Sequence, residues 1–365
     1  QLKRAAEARK VDTGTLHRLA SVMAVRTPQD AVSQRLIDGV KYDDEVKDEL
    51  KKRLGIGKHD KMNLVSVRTY AQAADYKSSG SDRIALIYAE GDIVDGPGDN
   101  NSIGGDHYRK LVRKARLDKS IKAIVLRVNS GGGSALASEA IWRELELAKQ
   151  DKPVVVSFGD VAASGGYYIA AGADSIFAQP NTITGSIGVF GIIPNMEGFF
   201  KNKLGVTFDG VKTAPYADAG AIYRPLTEAE KGFVQQSIDR IYLQFKQRVA
   251  GGRRKDINYI DSIAQGRVWS GEDALQLGLV DRIGGLQAAV DCAARLAKTN
   301  SYRLREYPEQ ENWLNELLGR KSTDPAAAIR SQVGEEPYRV YQELVRVRRM
   351  CGSVQARLPF TFLTH

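Results

Sequence analysis

The chain has 365 residues, of which 42% are hydrophobic and 27% charged, an ordinary globular composition that excludes wholesale disorder and suggests about two domains. Its 53 lysines and arginines against 44 aspartates and glutamates give a net charge of +9, which only weakly favours anionic surroundings such as phospholipid headgroups or nucleic acid. Two cysteines exclude a disulfide framework and an unaided thiolate zinc site, and no histidine lies between His107 and His365.

Composition divides the chain into four segments. These are a charged, helical segment at residues 1–62, a polar connector at residues 63–82, alternating strands and helices at residues 83–300, and a C-terminal tail at residues 301–365 with a predicted helix at residues 338–349. The charged run at residues 43–53 predicts a solvated helix face. Arginines in the late helix indicate either an ordinary surface helix or contact with anionic lipid.

The most apolar stretch, residues 154–173, does not predict a membrane-spanning helix. It contains Asp160, two serines and four glycines, whereas a spanning helix needs about 20 mostly apolar residues. A buried strand, a turn and a helix are expected there instead. No signal-peptide pattern opens the chain, which begins with Gln1, so any membrane anchor is expected outside these residues.

Residues 83–300 carry the predicted α/β core. Buried strands are predicted at residues 84–88, 123–128, 154–158 and 176–178, and helices at residues 108–117, 134–149 and 164–171. Strands that alternate with helices indicate parallel βαβ units. A longer amphipathic helix is predicted over residues 227–249, where Thr227 and Glu230 fit a capping box.

A short internal repeat connects the first segment with the third. Residues 27–31 and 36–38 resemble residues 270–274 and 279–281 at a constant offset of 243 residues. Each stretch is followed by a predicted helix with regularly spaced apolar residues. The alternative to a true repeat is therefore a chance similarity between two helix starts. A true repeat would mean that the chain begins near the end of a first repeat whose core lies upstream of Gln1.

Ser164 is the candidate nucleophile. It lies between a predicted strand and a predicted helix, and alanines and glycines surround it. Small neighbours let a substrate backbone approach closely, and the first N–H groups of the helix could face a developing oxyanion. The arrangement resembles a nucleophile elbow, although the G-x-S-x-G spacing is absent and a plain small-residue turn is the alternative.

Two further loops could complete such a site. Residues 129–134 (NSGGGS) lie between a strand and a helix, so they could supply an oxyanion donor beside the N–H of Gly165. A phosphate-cradling loop is the alternative, but the G-x-x-x-x-G-K-[ST] pattern is absent. Residues 184–191 contain Ser186, whose hydroxyl could orient a catalytic base or simply belong to a turn.

A nucleophilic serine needs a base that accepts its proton. Because no histidine follows nearby, the base would be a lysine whose pKa is lowered toward neutrality by desolvation. Lys201, Lys203 and Lys212 are the nearest lysines downstream, and each could equally be a surface residue.

Together these motifs resemble the signal peptide peptidase A (protease IV) family of serine peptidases, in its long, two-repeat form. The resemblance covers residues 83–300 and is carried by residues 129–134, 162–168, 184–188, 263–271 and 278–281. It implies an α/β, crotonase-like (ClpP-like) superhelix of βαβ units with flanking helical segments. It also implies that residues 1–62 are the end of a truncated first repeat.

The resemblance implies a membrane-associated serine endopeptidase that degrades cleaved signal peptides by a Ser/Lys dyad. The site residues that carry over are the nucleophile Ser164, the base-orienting Ser186, the oxyanion donors Gly132 and Gly165, and the substrate-binding residues Gly133, Val189 and Phe190. Gly131 stands where the family usually has proline. No cofactor and no metal is implied.

The lysine base does not carry over. In the short, single-repeat form of the family, the catalytic lysine follows a stretch similar to residues 212–214, and this alignment places the lysine position at Ala217. In the long form the lysine comes from the first repeat, and the repeat offset places that position upstream of Gln1. The dyad therefore looks split, and the isolated chain is expected to have little or no peptidase activity.

The resemblance implies that the partners are unfolded peptides, including signal peptides, and that the chain forms a homo-oligomer. It also implies a place at the periplasmic face of the bacterial inner membrane, and nucleic acid is not expected as a partner.

The alternative functions are a crotonase-like acyl-CoA enzyme and a non-catalytic assembly module. Hydratases place acidic residues near the oxyanion, but the nearest candidate, Glu139, is expected to face solvent. A Ser–His–Asp triad is disfavoured because the histidines are distant in sequence.

Overall fold

The computed structural model describes residues 2–57, 60–66, 82–99, 101–308 and 334–358, in two compact units, Gln1–Tyr76 and Lys77–His365. Most of the predicted connector at residues 63–82 lies outside the described residues. So do the side chains of Arg346 and Arg349, so lipid contact by the late helix stays a prediction.

The first unit is helical. Its helices are α1 (Leu2–Arg9), α2 (Thr13–Ser21), α3 (Pro28–Ser33) and α4 (Asp43–Leu54). The charged run forms α4, which begins with acidic residues and ends with basic ones, as the helix dipole favours. No residue of α4 is buried, which confirms the solvated helix face predicted from the charges.

The second unit is built on a large, mainly parallel sheet. Its strands are β1 (Asp82–Glu90), β4 (Ile121–Ser130), β6 (Val154–Ala163), β7 (Ser175–Ala178), β8 (Ile183–Gly185), β10 (Val268–Ser270), β11 (Arg282–Ile283) and β12 (Tyr302–Tyr307). They are ordered β10-β8-β6-β4-β1-β12, β7 pairs with β6 and β11, and β10 alone is antiparallel to its neighbour. The four strands expected from apolar runs are present, so the predicted parallel βαβ units are confirmed.

Side-chain alternation buries the sheet on both faces. On β4, Ile124, Leu126 and Val128 enter one core cluster, whereas Ala123 and Val125 enter the other. Every one of these side chains is fully buried. This burial explains why the strands appear in the sequence as continuous apolar runs.

Helices cover both faces of this sheet. They are α5 (Gly105–Leu117), α6 (Ala135–Asp151), α7 (Gly165–Ala170), α8 (Glu228–Arg253), α9 (Ile257–Ile263), α10 (Gly271–Gln276) and α11 (Leu286–Leu296). A further helix, α12 (Glu335–Met350), lies near the C-terminal end of the described residues. The predicted helices over residues 108–117, 134–149, 164–171 and 227–249 correspond to α5, α6, α7 and α8. Among the described residues, no helix combines the length and the apolar character needed to cross a bilayer.

A second, smaller sheet lies at the carboxyl edge of the first. It consists of β2 (Asp92–Val94), β3 (Ser102–Gly104), β5 (Gly132–Ser134), β9 (Phe190–Gly191) and β13 (Val354–Arg357), ordered β3-β2-β5-β13-β9. Neither β12 nor β13, the strands within residues 301–365, was predicted from the sequence. Their short, polar sequences lack the apolar run that marks the central strands.

Arg224 fastens the start of α8 to the preceding turn. Its guanidinium lies 2.8 Å from Asp218 Oδ1 and 2.7 Å from Glu230 Oε1. Glu230 Oε2 also accepts a hydrogen bond from Thr227 N at 2.8 Å, which completes the predicted capping box. The Arg224 guanidinium lowers the pKa of Glu230 to about 2 and holds the pKa of Asp218 well below its usual range.

We expect this network to stabilise the protein less as acid protonates it. A carboxylate whose pKa is lowered by folding stabilises the fold above its unfolded pKa, here 4.5 for Glu230, and loses that contribution toward its folded pKa of about 2. Arg224→Gln should therefore lower the thermal midpoint by a constant amount between about pH 8 and pH 5, and the difference should narrow below pH 4.5.

Thermal unfolding of both proteins across the pH range in which the wild type folds measures this difference. Lys231→Gln is the matched control, because its pair with Glu228 on the same helix is exposed and contributes little. A wild-type advantage over Arg224→Gln that stays constant below pH 4.5 would contradict the prediction.

Candidate active site

Ser164 occupies the sharp turn between β6 and α7. Its φ of 52° and ψ of −116° lie in a region that residues with a side chain rarely adopt, so neighbouring contacts must hold the turn. One such contact is the hydrogen bond from Ser164 N to Gly185 O, at 2.8 Å, and the side chain is fully buried. The structure therefore has the strand-to-helix turn that the sequence predicts at Ser164.

Ser186 lies beside Ser164 because β6 and β8 are parallel neighbours. Their register pairs Ala163 with Gly185, so the next residue of each strand, Ser164 or Ser186, stands at the same end of the sheet. Ser186 is buried and also has a positive φ, 46°. Ser164 Oγ donates to Gly188 O at 3.3 Å, which directs the hydroxyl toward the loop that contains Ser186.

Gly132 and Gly165, the predicted oxyanion donors, are in close backbone contact. A Cβ placed on Gly132 would lie 2.6 Å from Gly165 N, and one placed on Gly165 would lie 3.2 Å from Gly132 Cα. Gly132 also has a φ of 96°, which a side chain would strain. Glycine is required here because the loop must reach the first residue of α7.

Ser130, a further residue of this loop, contacts Gly132 although no role was predicted for it. Gly132 N donates to Ser130 Oγ at 3.1 Å, and Ser130 is buried. An oxyanion bound by the Gly132 N–H would therefore compete with this hydroxyl. A buried-strand serine directly before a run of glycines is the sequence signal that could have identified it.

Gly133 and Phe190, two of the predicted substrate-binding residues, flank a groove of the smaller sheet. Gly133 belongs to β5 and Phe190 to β9, and β13 lies between them, antiparallel to both. The register pairs Ala356 with Gly133 and Gln355 with Phe190. Val189, the third predicted residue, is half-buried against the core next to β9. One extended segment therefore fits between β5 and β9.

The candidate lysines do not join this cluster. Lys201, Lys203 and Lys212 are exposed, and Lys212 is paired with Asp218 at 2.8 Å. A lysine base must be desolvated, so these three environments do not suit the role. In the described part of the chain, no hydrogen bond joins a lysine to Ser164 or Ser186, and no three His, Cys, Asp or Glu side chains converge as metal ligands would.

Glu139 does not face solvent freely, so that expectation was wrong. Its carboxylate accepts hydrogen bonds from Tyr168 Oη at 2.6 Å and from Arg248 at 2.7 Å. Arg248 in turn lies 4.0 Å from the ring centroid of Trp142. Burial, reinforced by the Glu139 carboxylate, raises the pKa of Tyr168, which therefore stays a donor. Glu139, on α6, thus links α7 to α8 through these two partners.

The chain is similar to proteins of one peptidase family. Residues 146–300 match the family model described as peptidase family S49. The chain is 41% identical over 293 residues to Protease 4 of Salmonella typhi, covering 80% of this chain and 47% of that protein. It is 33% identical over 266 residues to a putative signal peptide peptidase SppA of Enterococcus faecium, covering 71% of this chain and 75% of that protein.

The chain spans about half the length of the Protease 4 relatives it matches. Among solved structures, a ClpP1 mutant from Listeria monocytogenes aligns with a TM-score of 0.38 at 16% identity, covering 60% of this chain and 98% of that chain.

The close approach of the glycine loop to α7 predicts unequal tolerance of alanine within the loop. Gly132→Ala should destabilise the protein by about 2 kcal/mol or more, because it combines a positive φ with contact against Gly165 N. Gly131→Ala is the matched control, since its Cβ would meet only Leu358, at 3.6 Å. Denaturant unfolding measures both, and equal stabilities of the two variants would contradict the prediction.

Proposed function

The chain belongs to peptidase family S49, with the crotonase-like (ClpP-like) α/β fold implied by its resemblance to signal peptide peptidase A, and from this premise we propose that it carries the nucleophile of a serine endopeptidase. The observation that carries the proposal is the meeting of Ser164 with Ser186 and the Gly132–Gly165 pair at one buried sheet edge. A structural turn alone would not need two buried serines with positive φ side by side.

In the proposed reaction, Ser164 Oγ attacks the carbonyl carbon of a peptide bond. The new Oγ–C bond forms as the hydroxyl proton passes to a base, and the C–N bond then breaks as that proton moves to the leaving amine. The carbonyl oxygen becomes the oxyanion, which accepts from the N–H groups of Gly165 and Gly132. Before attack, Ser164 must turn away from Gly188 O, and Ser130 must yield the Gly132 N–H.

The base is a lysine that this chain does not supply. The exposed positions of Lys201, Lys203 and Lys212 support this proposal, and so does Ala217, which is exposed in a turn where the short family form would have its base. The base then comes from the first repeat, and Ser186 orients it. The chain's coverage of about half of its Protease 4 relatives agrees with such a split site.

The proposed substrates are cleaved signal peptides and other unfolded peptides. The groove between β5 and β9 supports this, because it holds one extended strand through backbone pairing. The name of the Enterococcus faecium relative, a putative signal peptide peptidase, points to the same class. The acyl-CoA alternative loses its candidate acid, since Glu139 is bound by Tyr168 and Arg248.

Assembly at a membrane is part of the proposal. Apolar side chains are exposed between β9 and α8, and Phe199, Phe208, Val211 and Tyr216 are among them. Exposed apolar side chains favour burial against a partner, and the partner proposed here is a second copy of the chain. The net charge of +9 suits an anionic lipid surface, and the proposed location is the periplasmic face of the bacterial inner membrane.

A fluorophosphonate probe, which modifies activated serines, tests the split dyad. We expect little labelling of this chain and strong labelling of a form extended upstream through the first repeat. Ser164→Ala should abolish the labelling, whereas Ser175→Ala, at a buried serine of β7, should not. Mass spectrometry of the intact protein measures the adduct.

Two outcomes would contradict this proposal. Equal labelling of the two forms would mean that a base lies within these residues. No labelling of either form, with both folded, would leave an oxyanion-hole scaffold without peptidase chemistry.

A further inference from the structure

The strand β13 occupies the groove that the proposed function assigns to peptides. It pairs antiparallel with β5 through Gln355, Ala356 and Arg357, and antiparallel with β9 through Val354 and Gln355. Just beyond the strand, Leu358 N donates to Gly131 O at 2.9 Å. Residues 354–358, called here the self-peptide strand, are thus bound as an extended peptide would be.

Ala356 brings the self-peptide strand to the proposed oxyanion donors. A Cβ placed on Gly165 would lie 2.9 Å from Ala356 O, and one placed on Gly132 would overlap the same oxygen. The Ala356 carbonyl therefore lies against both glycines. Its side chain is fully buried in the core cluster, so the groove has room for a small side chain at this position.

Arg357, the next residue, is held by an acidic side chain of the groove wall. Its Nη2 lies 2.5 Å from Asp92 Oδ1, and only 9% of the Arg357 side chain is exposed. Asp92 belongs to β2, and the next residue of that strand, Ile93, pairs with Gly133 of β5. Because β2 pairs with β3 and β5 and not with β13, the Asp92 backbone keeps its place when the self-peptide strand leaves.

We propose that Asp92 is a specificity-determining residue, which accepts a basic side chain one position after the small residue of a bound peptide, and that Arg357 of the self-peptide strand fills this subsite in the resting chain. The subsite rests on the proposed function above, because that function identifies the groove as a peptide site. A peptide must displace residues 354–358 before it can pair with β5 and β9.

Hydrogen exchange of the full chain, read by mass spectrometry over residues 351–358, tests the occupancy. Arg357→Gln should raise the exchange rate of this segment by at least about tenfold, because it removes a charge-assisted hydrogen bond. Arg253→Gln is the matched control: its pair with Asp281 has the same 2.5 Å separation and nearly the same exposure, 6% and 34% against 9% and 34%. This control should leave residues 351–358 protected.

Binding of two labelled peptides by fluorescence anisotropy tests the specificity. One has the sequence Val-Gln-Ala-Arg-Leu, and the other has glutamine in place of arginine. The Arg357→Gln chain should bind the arginine peptide at least about tenfold more tightly than the glutamine peptide. The chain with both Arg357→Gln and Asp92→Asn should bind the two peptides equally.

Each other outcome overturns a stated part of the proposal. Equal binding of both peptides by the Arg357→Gln chain overturns the role of Asp92. If a peptide binds while residues 351–358 stay as protected from exchange as before, the peptide and the self-peptide strand do not share one groove. The same conclusion follows if no peptide binds to a chain in which residues 351–358 already exchange freely. If Arg357→Gln does not fold, Arg357→Lys replaces it, and its weaker, non-forked contact should give a smaller change in the same direction.

Neither measurement needs catalysis, so its result is separable from that of the fluorophosphonate experiment. A chain that binds the arginine peptide through Asp92 but never labels at Ser164 would keep the subsite and remove the peptidase chemistry.

Discussion

The hydrogen bond from Ser164 N to Gly185 O is the constraint on which the rest of the site depends. It ties the end of β6 to the end of β8 at the residue where β6 turns into α7. Without it, nothing in the local sequence would favour a φ of 52° for a serine, since this conformation costs about 1–3 kcal/mol outside glycine. The parallel sheet supplies that energy, and the turn therefore exists only in the folded unit.

Glycine then decides how closely the smaller sheet can approach this turn. Gly132 and Gly165 touch through their backbones, and the Ala356 carbonyl rests on both. The same contacts therefore serve two purposes: they align the N–H groups proposed to bind an oxyanion, and they seat the carbonyl of an extended strand. A side chain added at Gly132 or Gly165 would disturb both, which explains why glycine occupies these two positions.

The local sequence was sufficient to predict strands that are buried along their whole length. It was insufficient to predict strands whose partners are distant in sequence. The apolar runs of β1, β4 and β6 lie in a doubly covered sheet, so their hydrophobicity alone marked them. The strand-to-helix turn at Ser164 followed from its small neighbours. By contrast, β13 is a short polar segment whose partners, Gly133 and Phe190, lie more than 160 residues earlier. The environment of Glu139 was missed for the same reason, since Arg248 reaches it from another helix.

The proposed split of the site, with the nucleophile in this chain and the base elsewhere, is compatible with a stable fold of this chain. A lysine buried beside Ser164 would have to lose its charge or remain unpaired, and either costs folding free energy. Here the Ser164 hydroxyl is neutral and donates to Gly188 O, so burial leaves it satisfied. On the proposed split, the cost of a neutral lysine is met only when the first repeat docks, because docking excludes water from both partners at once. Under the same proposals, peptidase activity is conditional on assembly, and the self-peptide strand keeps the groove paired until a substrate displaces it.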